Sequence, residues 1–294
     1  MRRRAIFDNK GLPYLLLLPQ LVIVGIFFYW PAVQSISLSL LRQTAFGFGV
    51  RFAGLQNFLE LLHDPYYLLS FRTTLLFSVA VVAVAMSLGL LLAVMADSPI
   101  RGTGVYKTLL MWPYAIAPAV AAALWLFLFH PSIGILGRTL NSLGIRWDYT
   151  LNGAHALLLV ILAAAWKQVS YNFIFFLAGL QSIPRSFLEA AEVDGAGAVQ
   201  RFWRVVFPLL SPTTFFLLAV NMIYAFFETF GVIHALTKGG PAKATETLVY
   251  KVYVDGVINL DLGRSSAQSV ILLIIVVLLT MLQFRFVERR VYYI

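Results

Sequence analysis

Two ionisable side chains stand inside stretches that are otherwise apolar enough to cross a membrane. Lys167 lies in AAAWKQVSYNF, and Glu228 lies near the end of a later apolar run. A lysine at the centre of a span costs about 2.5–3.5 kcal/mol on insertion scales, so Lys167 is expected to face a bundle interior or a wet cavity. There its ammonium would be a point-charge partner for an anion such as phosphate. The alternative is that it pairs with a carboxylate or a backbone carbonyl of a neighbouring subunit.

Helical spacing extends these residues into two polar stripes. Tyr171 follows Lys167 by four residues, while Tyr224 and Glu228 follow Asn221 by three and seven; each set shares a helix face. At about 1.5 Å per residue, Lys167 and Asn221 both lie about 18 Å below the outer surface, and Glu228 only about 7.5 Å below it. An ion pair between Lys167 and Glu228 is therefore disfavoured. We hypothesise that the stripes line a substrate passage, with Lys167 and Asn221 at substrate level.

The sequence lacks the residue motifs that are typical of common enzyme classes. The sequence contains no G-x-x-x-x-G-K-[ST] phosphate loop, no H-E-x-x-H and no G-x-S-x-G. Gly195 and Gly197 begin a G-x-G, but Gln200 replaces the third glycine, which favours a turn. Ser170 lies in a span, where a serine usually bonds to its own helix. There are no cysteines, and the four histidines have no metal-ligand spacing. We predict neither a catalytic nor a metal site.

The composition places these residues in a membrane protein. The chain is 60% apolar and 12% charged, with mean hydropathy +0.84, whereas soluble domains are about 25% charged. A spanning helix needs about 20 mostly apolar residues. Six spans are predicted, at roughly 13–40, 71–96, 105–129, 155–181, 208–233 and 267–287. We expect an all-α, polytopic membrane protein, one integral domain over residues 1–294 with core spans over about 71–287.

The distribution of basic residues predicts the orientation. The net charge is +9, and twelve Lys/Arg lie in the segments 1–12, 97–107, 182–207 and 285–294, against eight in the longer alternate segments. Basic residues collect on cytoplasmic loops, so both termini are expected in the cytoplasm. The charge therefore reports orientation in a lipid bilayer rather than binding to nucleic acid.

The predicted cytoplasmic loop at about 182–207 interrupts the apolar sequence with acids, arginines and alanines. Ser182 and Pro184 are typical of a helix start. This helix is expected to stop at Gly195, because a left-handed residue at a helix end favours glycine. A second helix, at about 198–206, would lead to Pro208 and the fifth span. Two alanines beside one acid make a narrow, rigid surface that can enter a groove; the alternative is an ordinary amphipathic connector.

A family motif favours the first interpretation, that the surface of this helix docks in a groove of another protein. The pattern E-A-A-x-x-x-G, followed by apolar-x-apolar-Pro, resembles the signature of permease subunits of binding-protein-dependent ABC importers of the maltose type. The family commonly has Ile and Leu where this chain has Val205 and Phe207, both of which are apolar. The motif residues here are Glu189, Ala190, Ala191, Gly195, Val205, Phe207 and Pro208.

Other segments extend the resemblance over nearly the whole chain. The segments 236–253 (LTKGGPAKATETLVYKVY) and 261–272 (DLGRSSAQSVIL) look like the last outer loop and the entry to the sixth span of maltose-type permeases. LLMWPYAIAPAVAAALWLFLF, WKQVSYNFIFFLAGLQSIPRS and HDPYYLLSF are similar to permeases of importers for sn-glycerol-3-phosphate.

The resemblance implies a division of labour between subunits. This chain would form half of a pore with a sister permease, in a bacterial inner membrane. Two ATP-binding subunits would bind ATP and Mg²⁺, so this chain needs no cofactor of its own, and a periplasmic or lipid-anchored solute-binding protein would deliver the cargo. The resemblance assigns coupling to the ATPase subunits to Glu189, Ala190, Ala191, Asp194, Gly195 and Pro208.

Two alternatives remain open at this point. The same machine could carry a sugar or a polyol, because the family motifs describe coupling better than cargo. A protein of another class, an ion-coupled carrier or an intramembrane enzyme, is the second. An ion-coupled carrier needs buried carboxylates, and only Glu228 qualifies.

Overall fold

The computed structural model describes residues 12–43, 49–97 and 103–286. Within these ranges the chain packs as two compact units. The first comprises the described residues of Met1–His63 together with Val252–Ile271, and the second those of Asp64–Lys251 together with Leu272–Ile294. The predicted cytoplasmic termini fall largely outside the described ranges. The single domain over 1–294 stays a prediction.

The first unit begins with a long apolar helical stretch. It consists of α1 (Leu12–Val24), a π-helical stretch (Gly25–Tyr29) and α2 (Trp30–Ser39). A small antiparallel hairpin, which the sequence analysis did not predict, follows as β1 (Leu41–Gln43) and β2 (Val50–Phe52), and then α3 (Gln56–His63). The Asn57 amide donates to the carbonyls of Ser39 and Leu41 at 2.8 and 2.9 Å. This side chain therefore holds the end of α2 and the start of β1 against α3.

A buried carboxylate organises the later part of the first unit. Helix α14 (Leu248–Tyr253) continues into a π-helical stretch (Val254–Ile258), and α15 (Leu262–Phe286) follows. Asp255 accepts hydrogen bonds from Asn259 at 3.0 Å and from Gln268 at 2.5 Å. The guanidinium of Arg264 lies 3.3 Å from the same carboxylate. These contacts fix the turn that leads into α15.

Helices are the regular secondary structure of the second unit within its described residues. Its complete helices are, in chain order, α4 (Pro65–Asp97), α5 (Thr103–Ala115), α6 (Pro118–Phe129), α7 (Ile135–Ser142), α8 (Gly153–Ser182), α9 (Arg185–Val193), α10 (Ala198–Arg201), a π-helical stretch (Phe202–Val206), α11 (Phe207–Leu209), α12 (Ser211–Ile223), a second π-helical stretch (Tyr224–Glu228) and α13 (Phe230–Leu236). Residues 248–251 of α14 and 272–286 of α15 also belong to this unit.

Helices α4 and α8 form the centre of the second unit because small residues let their backbones approach closely. Ala85 and Ala93 on α4 are fully buried, as are Ala163 and Ala164 on α8. At Gly89 an added Cβ would lie 2.5 Å from the Cβ of Asn172. Glycine is therefore required where the two helices cross.

The predicted all-α, polytopic fold is confirmed, and the count of six spans depends on two bent helix pairs. Among the described residues, four helical stretches are long and apolar enough to cross a membrane, and the bent pairs raise the number to six. The predicted third span, 105–129, is not one straight helix: α5 and α6 meet at 104°. Pro118 restricts Ala117, which adopts φ −58° and ψ 141° and ends the first half.

The fifth span also departs from its predicted bounds of 208–233. The helical stretch over 198–209 meets the following one at 66°, so the long apolar segment begins at Ser211 and Pro208 lies before the bend. Pro212 occupies the first turn after the bend, where a missing N–H costs little.

Candidate functional site

A cavity of about 380 Å³ lies in the second unit and unites most of the predicted passage residues. Lys167 and Tyr171 reach it from α8, and Tyr224 and Glu228 reach it from the π-helical stretch after α12. The predicted stripes therefore meet at one cavity, apart from Asn221. Its mixed lining, with an ammonium, a carboxylate and phenol groups, can bind a small polar molecule rather than a purely apolar one.

The position of Lys167 depends on the long helix α8. Asn152 caps the start of this helix, its side chain accepting from the N–H groups of Ala154 at 2.9 Å and His155 at 3.3 Å. The four-residue interval then puts Tyr171 on the Lys167 face. The Tyr171 ring packs against Tyr114, with the ring centroids 5.4 Å apart.

The Lys167 ammonium has a partner within its own chain. The side chain is 8% exposed, and Nζ donates a hydrogen bond to the backbone carbonyl of Ile116 at 2.5 Å. A backbone carbonyl is the kind of partner that the sequence analysis considered, although it was expected on another subunit. Ile116 lies in the break between α5 and α6, so Lys167 joins the middle of α8 to that break.

Tyr224 and Glu228 begin and end one π-helical stretch. The Tyr224 hydroxyl donates to the carbonyl of Ala164 on α8 at 3.3 Å, which ties the two elements together beside the cavity. Glu228 is exposed on the cavity lining. Single-turn π-helical stretches within α-helices are frequent at functional sites.

Asn221 does not reach the cavity. Its side chain is 0% exposed and forms two hydrogen bonds with Asn172, as donor at 2.7 Å and as acceptor at 3.0 Å. Its second N–H donates to the carbonyl of Leu217. The amide is thus satisfied inside the protein, between α12 and α8, and it joins these helices without lining the cavity.

Four further residues line the cavity that were not predicted from the sequence: Tyr114, Pro118, Gln168 and Val220. For Tyr114 and Pro118, the segment WPYAIAP (112–118) contained a usable sequence signal. It places Pro113 and Pro118 five residues apart within an apolar run. Prolines at that interval predict a broken helix. A broken helix at membrane depth is tolerated where it is buried in protein or lines a cavity.

The predicted coupling loop contains the helix and the glycine turn expected of it. Helix α9 ends with Asp194 as its C-cap, and Gly195 follows with φ +80°. The N–H of Ala196 bonds to the carbonyl of Ala191 at 2.9 Å, and the N–H of Gly195 to that of Glu192 at 3.0 Å. This is a Schellman arrangement, so the left-handed glycine is confirmed.

The start of α9 differs from its prediction. Ser182 is the last residue of α8, and its hydroxyl donates to the carbonyl of Gly179 at 2.7 Å, so it caps nothing in α9. The helix begins after Pro184, whose extended conformation (φ −60°, ψ 131°) precedes Arg185. The proline therefore sets the boundary without help from the serine.

The motif residues divide between two faces of α9. Glu189 and Ala190 are exposed, whereas Ala191 is buried within the chain. An ion pair between Glu192 and Arg201 fastens α9 to α10. The surface left for a partner therefore includes Ala190 and not Ala191.

The chain matches a protein family, full-length relatives and a solved structure. Residues 64–293 match the family described as binding-protein-dependent transport system inner membrane component. The sn-glycerol-3-phosphate transport system permease protein UgpA of Agrobacterium fabrum is 60% identical over 288 residues, covering 98% of each chain. UgpA of Rhizobium meliloti is 57% identical over 291 residues, covering 99% of each chain.

A crystallised transporter has the same fold at low sequence identity. It is a bacterial alginate ABC transporter in complex with its alginate pentasaccharide-bound periplasmic protein, and one chain aligns with TM-score 0.83 and 21% identity over 96% of both chains. This likeness concerns the fold alone. The family match and the full-length relatives together establish that the chain belongs to the binding-protein-dependent transport system inner membrane components.

Proposed function

We propose that the chain is a permease subunit of an ATP-driven importer for sn-glycerol-3-phosphate. The observation that carries this proposal is the 60% identity, over 98% of both chains, to a permease named for that cargo. The alignment spans nearly the whole of both chains, so this identity supports a shared cargo as well as a shared fold.

The chemistry of the cavity supports a phosphate ester. The Lys167 ammonium supplies a positive charge beside the space in which an anion would lie. Glu228 and the phenol groups of Tyr114, Tyr171 and Tyr224 supply partners for the hydroxyls of a glycerol group. In this proposal the phosphate lies toward Lys167 and the glycerol hydroxyls toward Glu228, which keeps the phosphate away from the carboxylate.

Coupling is assigned to the loop around α9. Its rigid glycine-terminated helix, its ion pair to α10 and its exposed Glu189 and Ala190 suit docking into a cleft of an ATP-binding subunit. Phe187 and Val193 are 45% and 88% exposed and would add apolar contacts there. ATP and Mg²⁺ would be bound by that partner, so the chain itself would catalyse no reaction.

The proposed assembly contains a sister permease, two ATP-binding subunits and a periplasmic or lipid-anchored solute-binding protein. The family description, an inner membrane component of a binding-protein-dependent system, supports a machine of this type. The excess of Lys/Arg on alternate loops supports cytoplasmic termini, and with them a cytoplasmic position for α9.

A sugar or polyol is the alternative cargo. The solved transporter of the same fold is named for alginate, so the fold by itself is compatible with chemically different cargoes. The test is uptake by the complete transporter in vesicles, with its solute-binding protein and radiolabelled sn-glycerol-3-phosphate. Unlabelled sn-glycerol-3-phosphate should compete with uptake, and maltose and glycerol should not. The reverse pattern of competition would overturn the cargo assignment.

A further inference from the structure

The break between α5 and α6 exposes backbone groups that a continuous helix would satisfy. Pro118 has no N–H and holds Ala117 in an extended conformation, so Ile116 lies beyond the regular end of α5. Carbonyls at the end of a helix have no partner in that helix and carry its negative partial charge. At membrane depth such a group requires a donor from the protein or from a wet cavity.

Lys167 supplies the donor for one of these carbonyls. Its Nζ lies 2.5 Å from the Ile116 oxygen, and its side chain is 8% exposed. A cation at the end of α5 also opposes the negative partial charge of that end. One of the three N–H donors of the ammonium is therefore bonded to the Ile116 carbonyl.

The break is held by packing on both sides of this hydrogen bond. Before the break, the Tyr114 ring packs against Tyr171 at 5.4 Å between centroids. After the break, Pro118 approaches Gly231 of α13, where an added Cβ would lie 3.2 Å from the Pro118 Cβ. Tyr114 and Pro118 both line the cavity. The orientation of the break therefore shapes one wall of the cavity.

We infer that Lys167 is a positioning residue, whose ammonium caps the broken helix at Ile116 and thereby holds the cavity wall formed by Tyr114 and Pro118. The relevance of this wall to transport rests on the proposed function of the cavity. The cap itself exists without cargo. The ammonium has two further N–H donors, so it can bind a cargo phosphate while the cap at Ile116 stays in place.

The absence of cysteine from the chain allows a direct test. The substitution Ala121→Cys puts a single thiol on this chain, at a fully buried position in the first turn of α6 directly after the break. Its rate of modification by a small methanethiosulfonate reagent is measured in the assembled, cysteine-free transporter in proteoliposomes, with no cargo present. Lys167→Met should raise this rate about tenfold, the order expected for local opening after loss of a charged hydrogen bond. Lys167→Arg, which keeps a cationic donor, should leave the rate close to its original value.

Lys107→Met is the matched control. It removes the same charge from α5, nine residues or roughly 13 Å before Ile116, and it should leave the modification rate unchanged. If Lys167→Met prevents assembly, Lys167→Gln, whose neutral side chain is too short to make the same bond, takes its place with the same expectation. An unchanged rate in the assembled Met or Gln variant overturns the positioning role.

Uptake kinetics separate this inference from the cargo assignment. A positioning role predicts that Lys167→Met lowers the maximal uptake rate, and that Lys167→Arg recovers much of it. A role as cargo charge partner alone predicts a higher half-saturating concentration of the solute-bound binding protein, with no effect on the introduced thiol. If sn-glycerol-3-phosphate is not the cargo, the thiol rates still test the cap, because they are measured without cargo.

Discussion

Asn172 on α8 and Asn221 on α12 exchange two hydrogen bonds, of 3.0 and 2.7 Å, inside the second unit. Each amide also donates to the carbonyl four residues earlier in its own helix, that of Gln168 or Leu217. Both side chains are 0% exposed. The pair therefore fixes the relative position of the two helices whose neighbouring residues line the cavity.

The first prediction concerns this amide pair. Asn172→Ala leaves the Asn221 amide with an unmet hydrogen bond, and Asn221→Ala does the converse, so each single change should destabilise the permease. The double change should cost less than the sum of the two, with a coupling energy of about 0.6–1.7 kcal/mol. Unfolding of the four purified proteins in mixed micelles measures this cycle.

A control double-mutant cycle keeps Asn172→Ala and uses a substitution at a distant residue in place of Asn221→Ala. Asn172→Ala combined with Thr139→Ala, a change in the separate helix α7, should be additive within about 0.5 kcal/mol. Additivity in the asparagine cycle as well would contradict the energetic importance of the pair.

The second prediction concerns Gly195, which has φ +80°. A β-branched residue is strained in this region, so Gly195→Val should distort the end of α9. Nothing lies within 4 Å of an added Cβ at this position, so the backbone and not crowding is responsible. Membrane insertion should stay normal, while uptake and co-purification of the ATP-binding subunits should fall. Gly195→Asn, which tolerates the left-handed region better, should retain more of both.

The third prediction separates two adjacent alanines. Ala190 is exposed and Ala191 is buried. Ala190→Trp should leave the isolated permease as stable as before and abolish its association with the ATP-binding subunits. Ala191→Trp should lower the unfolding temperature of the isolated permease, because a large ring has no room at this buried position. Normal uptake and co-purification with Ala190→Trp would refute docking through this face.

Local rules explain which features could be predicted from the sequence. The turn at Gly195 depends only on neighbouring backbone groups, and the shared face of Lys167 and Tyr171 depends only on helical period. Both are present in the structure. The same helical period placed Asn221 on a polar stripe with Tyr224 and Glu228. Helical period does not, however, predict which residue of a neighbouring helix packs against that face. Asn172 covers it here.

The break in the third span is a second feature that was not predicted from the sequence. Its proline signal was present at Pro113 and Pro118, but apolar composition over 105–129 suggested one straight helix. The partner of Lys167 was unpredictable without that break, because the Ile116 carbonyl would otherwise have bonded within its own helix. The contact spans 51 residues of sequence, and no short motif encodes it.

The fourth prediction concerns pH and the loop before α8. Asp148 accepts hydrogen bonds from the hydroxyl and N–H of Thr150 at 2.6 and 2.8 Å and from the N–H of Leu151 at 3.3 Å. The Thr150 hydroxyl is the main cause that holds the pKa of Asp148 below its usual 3.8, partly opposed by burial. Because the folded pKa is the lower one, the stabilisation is complete above about pH 4 and is lost as the pH falls through the folded value.

Asp148→Ala should therefore lower the unfolding temperature of the purified permease at pH 7, and the difference from the unchanged chain should shrink below pH 4. Thr150→Val removes the hydroxyl donor, which raises the pKa of Asp148 toward its usual value and should move the loss of stability to higher pH. A difference between Asp148→Ala and the unchanged chain that is constant from pH 7 to pH 3 would contradict the role of the carboxylate.

The fifth prediction approaches the break in the third span from the side opposite Lys167. Gly231→Ala would bring its Cβ 3.2 Å from the Cβ of Pro118, which a small shift can relieve, whereas Gly231→Leu forces the start of α6 away from α13. Gly231→Ala should therefore transport nearly as well as the unchanged chain. Gly231→Leu should insert and assemble, yet lose most of its uptake and react faster at a thiol introduced by Ala121→Cys. The matched control is Gly104→Leu in the first turn of α5, where an added Cβ has nothing within 4 Å. Normal uptake by Gly231→Leu would mean that the position of Pro118 has no bearing on transport.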